Sequence, residues 1–239
     1  MNKIAILSAG PGLPEIVEMY GHSSDWIPQI LSTHNIEFDI IKVYQDNFKL
    51  CYDYDAYIIT GSKYSVYDNV DWISKLKDYL STIIKTDKPI LGICFGHQLL
   101  AEVLGGNVIK NPKGRELGSY QIQLTDSGLN SPLFKDIPND EIFYESHQDF
   151  VECLPANSTE LSTSDKGNQS FVYNDKIFGV QFHPEFSWDV TRMLMDLRIK
   201  KGIKVDDETL DKSSKGPVLL NNFIDIIERI KNEKTNLSN

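Results

Sequence analysis

The chain has 239 residues, of which 41% are hydrophobic and 24% are charged. A chain of this length and composition buries a sizeable core without disulfide or metal cross-links. Its formal net charge is −10 at pH 7, and because an acidic surface repels phosphate and anionic lipid, we expect no binding to nucleic acid or to membranes.

The first half of the chain alternates strand-like and helix-like segments. Predicted strands occupy residues 3–7, 38–44, 56–60 and 89–94. Predicted helices occupy residues 25–34, 72–84 and 98–104. Because such alternation implies right-handed crossovers, the strands are expected to form a parallel sheet covered by helices.

From about residue 106 the segments become shorter and more strand-like. Predicted strands occupy residues 108–110, 119–124, 141–144, 170–173 and 177–182, with turn residues between them. Nothing in this half resembles a flexible linker between domains. We therefore expect one α/β domain over residues 1–239, with a mixed sheet.

The last part of the chain returns to helical patterns. Apolar positions among charged ones predict one helix over about 188–199 and a second, amphipathic helix over about 218–230. The segment 186–239 is expected to pack as helices on the same domain. Between the two helices, residues 200–217 are polar and punctuated by glycine, which predicts a mobile surface loop.

The three cysteines, Cys51, Cys94 and Cys153, are odd in number and widely spaced. Their spacing fits neither a disulfide framework nor a zinc site, and free thiols suit a reducing compartment. The N-terminal apolar run over residues 3–7 is too short for a signal peptide or a membrane span. We therefore expect a cytoplasmic protein.

The segment Gly92-Ile93-Cys94-Phe95-Gly96 places a nucleophilic residue between two glycines. A predicted strand precedes it and a predicted helix follows it, as in the strained turn that presents the nucleophile of α/β-hydrolases. The start of the helix points free N–H groups and its positive dipole end at the sulfur, which favours a reactive thiolate. The Phe95 N–H is then placed to stabilise an oxyanion. The alternative is that Cys94 is only a small buried hydrophobic residue.

A thiol nucleophile needs a base that takes its proton and later returns it to a leaving amine. His183 is the best placed of the five histidines, because it directly follows the predicted strand 177–182. Glu185 lies two residues further on, and its carboxylate can fix the tautomer of the imidazole. A zinc site built from Cys94, His183 and Glu185 is the alternative, although no HExxH or CxxC motif supports a metal ion.

Residues 92–98 read Gly-Ile-Cys-Phe-Gly-His-Gln, and His183-Pro184-Glu185 follows in the second half of the chain. These two separated motifs resemble the class I glutamine amidotransferase family over nearly the whole chain. The resemblance implies a flavodoxin-like α/β fold, with an open, mostly parallel mixed sheet and helices on both faces. In that family the cysteine attacks the side-chain amide of glutamine or a related γ-glutamyl compound. A thioester forms, ammonia or an amine leaves, and water releases glutamate.

The resemblance also assigns roles to particular residues. Cys94 corresponds to the nucleophile, His183 to the general base and acid, and Glu185 to the carboxylate that orients the histidine. Gly61, in the turn after the third predicted strand, is the candidate for a second oxyanion N–H beside that of Phe95. No cofactor and no metal ion are expected for this chemistry.

Substrate contacts are implied at two further places. Gln98 lies where the family contacts the glutamyl end of the substrate. The segment 145–149 resembles the one that holds the α-amino and α-carboxylate groups, which makes Ser146, His147 and Gln148 candidate binding residues. For His147 a purely structural role stays open.

The chain departs from family members that serve a synthase in two respects. Many of those carry Gly-Gly-Pro at the oxyanion turn, whereas this chain reads Gly61-Ser62-Lys63-Tyr64. They also end soon after His-Pro-Glu, whereas more than fifty residues follow here. Both features resemble the stand-alone, GMP-synthase-like members and the γ-glutamyl peptidases of plants and fungi.

Three functions remain open on these observations. The first is a stand-alone hydrolase of a small-molecule γ-glutamyl substrate, which the lack of a P-loop or other synthase motif supports. The second is an ammonia-donating glutaminase subunit that works with a separate synthetase. The third is a non-catalytic binding module on the same scaffold, which an intact set of Cys94, His183 and Glu185 disfavours.

Overall fold

The computed structural model of the protein describes residues 1–45, 48, 51–205, 209–212 and 215–237. Its strands are β1 (Asn2–Ser8), β2 (Ile36–Lys42), β3 (Ala56–Ile59), β4 (Ile90–Ile93), β5 (Asn107–Lys110), β6 (Glu116–Gln121), β7 (Gln123–Leu124), β8 (Ile142–His147), β9 (Asp149–Cys153), β10 (Ser158–Ser164), β11 (Gly167–Tyr173) and β12 (Ile177–Val180). Its helices are α1 (Pro14–Tyr20), α2 (Ser23–Ile30), α3 (Asp71–Ile83), α4 (Phe95–Val103), α5 (Asp126–Leu129), α6 (Trp188–Lys200) and α7 (Gly216–Leu237), with short 3-10 helices at Ile84–Thr86 and Pro132–Phe134.

Most of the described strands form one large sheet with the order β2-β1-β3-β4-β12-β11-β10-β7. The strands from β2 to β12 in this order are mutually parallel, and β11, β10 and β7 continue the sheet with antiparallel pairing. Numbered among themselves, the parallel strands follow the order 2-1-3-4-5 of flavodoxin-like folds. β5 pairs with β9, and β6 with β8, in two separate ribbons. The predicted open, mostly parallel mixed sheet is confirmed.

Helices cover both faces of the central strands. β3, β4 and β12 are buried along their whole length, because each is a continuous apolar run of the kind that lies inside a parallel sheet. On one face, α2 and α7 share a core with Ile58 and Leu91. On the other face, α3 and α4 share a core with Tyr57 and Ile90. The alternation of side chains along each strand therefore divides the interior into two cores.

Several elements differ from those predicted. The single strand predicted over 119–124 is wrong: the chain passes from the β6–β8 ribbon to the main sheet at the fully buried Ile122. β2 lies at residues 36–42 rather than 38–44. The pattern does not predict α1, β9 or β10. In β10 the sequence is Ser-Thr-Glu-Leu-Ser-Thr-Ser, so Leu161 alone is apolar and no alternation is visible.

The two C-terminal helices pack on the rest of the fold. α6 buries Val190, Leu194 and Met195 in a third cluster with Ile16 of α1 and Trp26 of α2. α7 begins earlier and ends later than predicted. Within the described part of the chain, no helix combines the length and hydrophobicity that a membrane crossing requires.

The polar segment predicted as a mobile loop is anchored where the structure describes it. The Trp188 indole Nε1 donates a hydrogen bond to the Leu210 carbonyl oxygen at 2.9 Å, and the Tyr144 hydroxyl donates to the Asp211 carbonyl oxygen at 3.0 Å. Residues 206–208 and 213–214 of the predicted loop lie outside the described residues. The described part therefore follows the surface of α6 and β8.

We expect the segment 186–239 to unfold together with the rest of the domain. Phe223 of α7 is fully buried against the sheet, so Phe223→Ala should lower the free energy of unfolding by about 3–5 kcal/mol. Urea titration of the intact chain measures this. The matched control is Glu228→Ala, an exposed position of the same helix, which should change it by less than about 0.5 kcal/mol. A separate transition for α7, with the sheet unaffected, would contradict a single domain.

Candidate active site

Cys94 lies at the carboxyl end of β4, on the turn that leads into α4. Its backbone angles are φ 52° and ψ −101°, a strained conformation for a residue with a side chain. The turn is tight because its glycines let backbone segments touch. A Cβ atom on Gly92 would lie 2.4 Å from the Gly96 carbonyl oxygen, and one on Gly96 would lie 2.4 Å from the Ile59 carbonyl oxygen. The predicted nucleophile elbow is therefore present as geometry.

Phe95 and Gly61, the two predicted oxyanion donors, both lie next to Cys94. Phe95 is the first residue of α4, so its N–H has no acceptor within the helix. Gly61 follows β3, the neighbour of β4, and lies against both predicted catalytic side chains. A Cβ atom at Gly61 would come within 2.8 Å of His183 Cε1 and 3.5 Å of Cys94 Cβ. The position of Gly61 thus admits no side chain without displacing the imidazole.

His183 and Glu185 lie just beyond β12, on the other side of β4 from β3. The imidazole Nδ1 donates to Glu185 Oε1 at 2.8 Å, which leaves Nε2 for Cys94. The Phe186 ring stacks on the imidazole at a centroid distance of 3.9 Å. The backbone N–H of His183 donates to the Tyr144 carbonyl oxygen at 2.8 Å. His183 and Glu185 are 6% and 4% exposed. Packing and hydrogen bonds therefore hold the ring in one orientation.

The charge state of His183 follows from its two neighbours. Burial alone would lower the pKa of the imidazole, because it disfavours the charged form. The negative charges of Glu185 and Cys94, together with hydrogen bonds to both, outweigh burial and raise the pKa of His183 well above its usual value. The ring is thus suited to receive a proton from Cys94 and to hold it until a leaving group needs it.

A polar cleft opens at Cys94 and contains the predicted substrate contacts. Ser146, Gln148 and Gln98 line it. The Gln98 side-chain Nε2 donates to the Asp149 carbonyl oxygen at 2.8 Å, so the amide is fixed by the end of the β8–β9 segment. Arg115 Nη2 donates to Gln148 Oε1 at 2.8 Å. The structure therefore brings these three residues to the cleft beside the elbow.

The His147 imidazole is buried between two carboxylates. Its Nε2 lies 2.9 Å from Glu116 Oε2 and 3.2 Å from Glu145 Oε2, and its Nδ1 donates to the Asp149 carbonyl oxygen at 2.9 Å. Burial opposes the charged ring, but the two glutamates raise the pKa of His147 to about 10. The residue also lines the cleft. Its ion cluster holds the chain on either side, where Ser146 and Gln148 face the cleft.

Two arginines of the cleft were not predicted from the sequence. Arg115 follows an ordinary Pro-Lys-Gly turn, and no local pattern separates it from a surface arginine. Arg198 is one of several charged positions on an amphipathic helix. Among the described residues, no cluster of three or more histidine, cysteine or acidic side chains is suited to a metal ion.

The structure brings Cys94, His183 and Glu185 together at the carboxyl ends of neighbouring parallel strands. A family model described as glutamine amidotransferase class-I matches residues 15–196. The matched segment includes the elbow, the turn at Gly61 and the histidine–glutamate pair. The chain therefore belongs to the class I glutamine amidotransferase family, which confirms the resemblance inferred from the sequence.

Several relatives are known by name. The glutamine amidotransferase-like protein C13C5.04 of Schizosaccharomyces pombe is 31% identical over 221 residues, 86% of this chain and 87% of that protein. Gamma-glutamyl peptidase 5 of Arabidopsis thaliana is 32% identical over 166 residues, 67% of this chain and 66% of that protein. One of the GMP synthase (glutamine-hydrolysing) subunits of Sulfurisphaera tokodaii is 38% identical over 135 residues, 56% of this chain and 68% of that protein.

A solved structure supports the fold independently. A glutamine amidotransferase from Thermotoga maritima superposes with a TM-score of 0.73 at 24% identity, over 95% of this chain and 97% of that one. At this identity the similarity extends to the fold alone.

The contact between His183 and Cys94 is testable without a substrate. His183→Gln removes the base that takes the thiol proton, so alkylation of Cys94 by iodoacetamide at pH 7 should slow roughly tenfold or more. Peptide mapping by mass spectrometry follows each cysteine separately. Cys153, which is exposed, is the internal reference. His34→Gln, at a histidine that bonds Asn221 of α7, is the matched control, and an equal slowing there would refute the assignment.

The ion cluster around His147 predicts an unusual titration. Its imidazole should stay doubly protonated until the pH approaches 10, which a pH series of NMR spectra measures, with the signal assigned by its loss in His147→Gln. Because the folded state binds this proton more tightly than the unfolded chain, its contribution to stability is complete below about pH 6.5 and is lost as the pH rises towards 10. A midpoint below pH 7 would rule out the charged cluster.

Proposed function

We propose that the protein is a cysteine-dependent γ-glutamyl hydrolase, which cleaves the amide bond of glutamine or of a γ-glutamyl peptide or amine and releases glutamate. The observation that carries the proposal is the strained Cys94 turn next to a histidine that is paired with Glu185. The γ-glutamyl peptidase among the relatives supports the substrate class.

In the first half of the proposed reaction, His183 takes the thiol proton and Cys94 Sγ attacks the γ-carbonyl carbon. The carbonyl oxygen becomes an oxyanion, for which the N–H groups of Phe95 and Gly61 are the proposed donors. The C–N bond then breaks, and the imidazolium returns its proton to the leaving nitrogen. The products of this half are a glutamyl thioester on Cys94 and free ammonia or amine.

In the second half, water repeats the sequence on the thioester. His183 takes a proton from the water, whose oxygen attacks the thioester carbon, and the same oxyanion site stabilises the negative charge. The C–S bond breaks and the proton returns to the sulfur, so glutamate leaves and Cys94 is regenerated. Throughout both halves, Glu185 keeps the imidazole of His183 in the correct tautomer.

A second candidate is an ammonia-donating glutaminase that works with a separate synthetase. The GMP synthase relative from Sulfurisphaera tokodaii, at 38% identity, is a subunit by name, which favours this candidate. In this case glutamine is the substrate and the same triad performs the same steps. The two candidates therefore differ in the leaving group and in whether turnover depends on a partner.

The test is release of glutamate from a panel that contains glutamine, glutathione, γ-glutamyl dipeptides and γ-glutamyl alkylamines. Cys94→Ala should lower kcat/KM on every cleaved substrate roughly 10³-fold or more, because the triad acts as a unit. Cys153→Ala, at an exposed cysteine, is the matched control and should keep full activity.

Efficient cleavage of a γ-glutamyl peptide or amine by the isolated chain supports the hydrolase. Slow turnover of glutamine alone, which rises when an acceptor synthetase is added, supports the second candidate instead. Glutamate release that survives Cys94→Ala contradicts both.

A further inference from the structure

A second pocket opens beside His183 and Glu185 and has no contact with Cys94. Its walls include apolar side chains of α1, α2 and α6, together with Phe186 just before α6. These side chains are Ile16, Trp26, Phe186, Val190 and Leu194. Its volume is about 130 Å³, close to the ~150 Å³ of an engineered cavity that binds benzene. The pocket therefore has the size and polarity to hold one large apolar side chain.

This apolar pocket adjoins the polar cleft at Cys94. Ser62, Lys63, Ser146 and Arg198 line both, and so form a shared rim. A molecule that lies across the rim has one end at the nucleophile and the other in the apolar pocket. His183, the proposed proton donor to the leaving group, lines the apolar pocket and lies next to Cys94, which lines the polar cleft.

The cleft carries more positive charge than a glutamyl group requires. Lys63, Arg115 and Arg198 line it, and Asp149 is the one carboxylate among the described residues that do so. A γ-glutamyl end is zwitterionic, so one cation and one carboxylate match it, for which Arg115 and Asp149 suffice. Since the whole chain has a net charge of −10, a local excess of cations indicates a second anionic group in the ligand.

Arg198 is the cation best placed for that second anion. It lies on the shared rim, as does Lys63, whereas Arg115 lines the polar cleft alone. Of the two rim cations, Arg198 carries the planar guanidinium that pairs with a carboxylate through two hydrogen bonds. Burial and the nearby charge of Arg198 both lower the pKa of Arg115, so the two guanidinium groups lie near each other. Within the described part of the chain, Nε of Arg198 is enclosed and has no hydrogen-bond partner. A buried donor without a partner costs free energy, so the side chain gains from a shift that brings its guanidinium to an acceptor on the rim.

We propose that the leaving group is an amino acid, joined through its α-nitrogen to the γ-glutamyl carbonyl, whose carboxylate pairs with Arg198 and whose apolar side chain occupies the pocket of Trp26 and Leu194. This inference rests on the proposed function and specifies its substrate class: γ-glutamyl derivatives of large apolar amino acids. The match to the family model ends at residue 196, so it does not include Arg198.

The connectivity of such a substrate fits the two pockets. The leaving nitrogen is bonded to one carbon atom that carries both the carboxylate and the side chain. When the C–N bond breaks, His183 gives its proton to that nitrogen, and the free amino acid departs while the glutamyl group stays on Cys94 Sγ. Glutamine has no group for either Arg198 or the apolar pocket, so it gains nothing from them in the transition state.

The experiment compares γ-glutamylphenylalanine with γ-glutamyl-2-phenylethylamine, which lacks only the carboxylate. Wild type should favour the first by roughly 10- to 100-fold in kcat/KM, as expected for one charge-assisted hydrogen-bonded pair. Arg198→Ala should remove this preference through loss on the acid alone, and Arg198→Lys should keep part of it. Lys200→Ala, an exposed position on the same helix, is the matched control and should leave it unchanged.

Binding to Cys94→Ala by calorimetry gives a measurement that does not need the Arg198 variants to fold. The acid should bind more tightly than the amine by a similar factor. The inference is overturned by equal kcat/KM values and equal affinities for the two compounds, or by an equal loss of kcat/KM on both in Arg198→Ala. Either result leaves the proposed hydrolase function unaffected. No cleavage of any γ-glutamyl compound overturns the proposed function as well.

Discussion

The parallel pairing of β3, β4 and β12 is the constraint on which the site depends. The pairing aligns Ile59 with Gly92 and Val180 with Ile93, so the three strands end at one level. Each strand is then followed within a few residues by a group of the site: Gly61, Cys94 or His183. Both faces of these apolar strands are buried in the interior. A slip in register would bring apolar side chains out of the core. Core packing therefore sets the distances between groups that are remote in sequence.

Buried charge is the cost of this arrangement, and it is met by pairing. Glu185 lies against His183, and Glu116 and Glu145 lie against His147. An uncompensated carboxylate at such positions would be strongly destabilising, whereas the paired groups hold each other in fixed orientations. The raised pKa values of the two histidines have the same origin. One pair orients the proposed base, and the other cluster fixes the strand end that borders the cleft.

The parts of the site next to the two sequence motifs were predictable from the sequence, and the two arginines of the cleft were not. Cys94 and His183 each terminate a short apolar run, and glycine spacing marks the elbow, so local patterns predict their positions. Arg115 and Arg198 reach the cleft only through tertiary packing, and on their own elements they look like ordinary charged residues. β10 was missed for a similar reason, because its place in the sheet comes from its neighbours rather than from a hydrophobic pattern.

The division between strands and helices also separates reaction from selectivity. The strand ends carry the proposed nucleophile, base and oxyanion donors, all of which would act on the γ-glutamyl carbonyl whatever is attached to it. The walls beyond His183 come from α1, α2 and α6, which are attached to the sheet from outside. Changes in these helices alter what surrounds the leaving nitrogen without moving the strand ends. In the proposed reaction the scaffold therefore keeps the chemistry constant, while helix residues such as Arg198 and Trp26 select the leaving group.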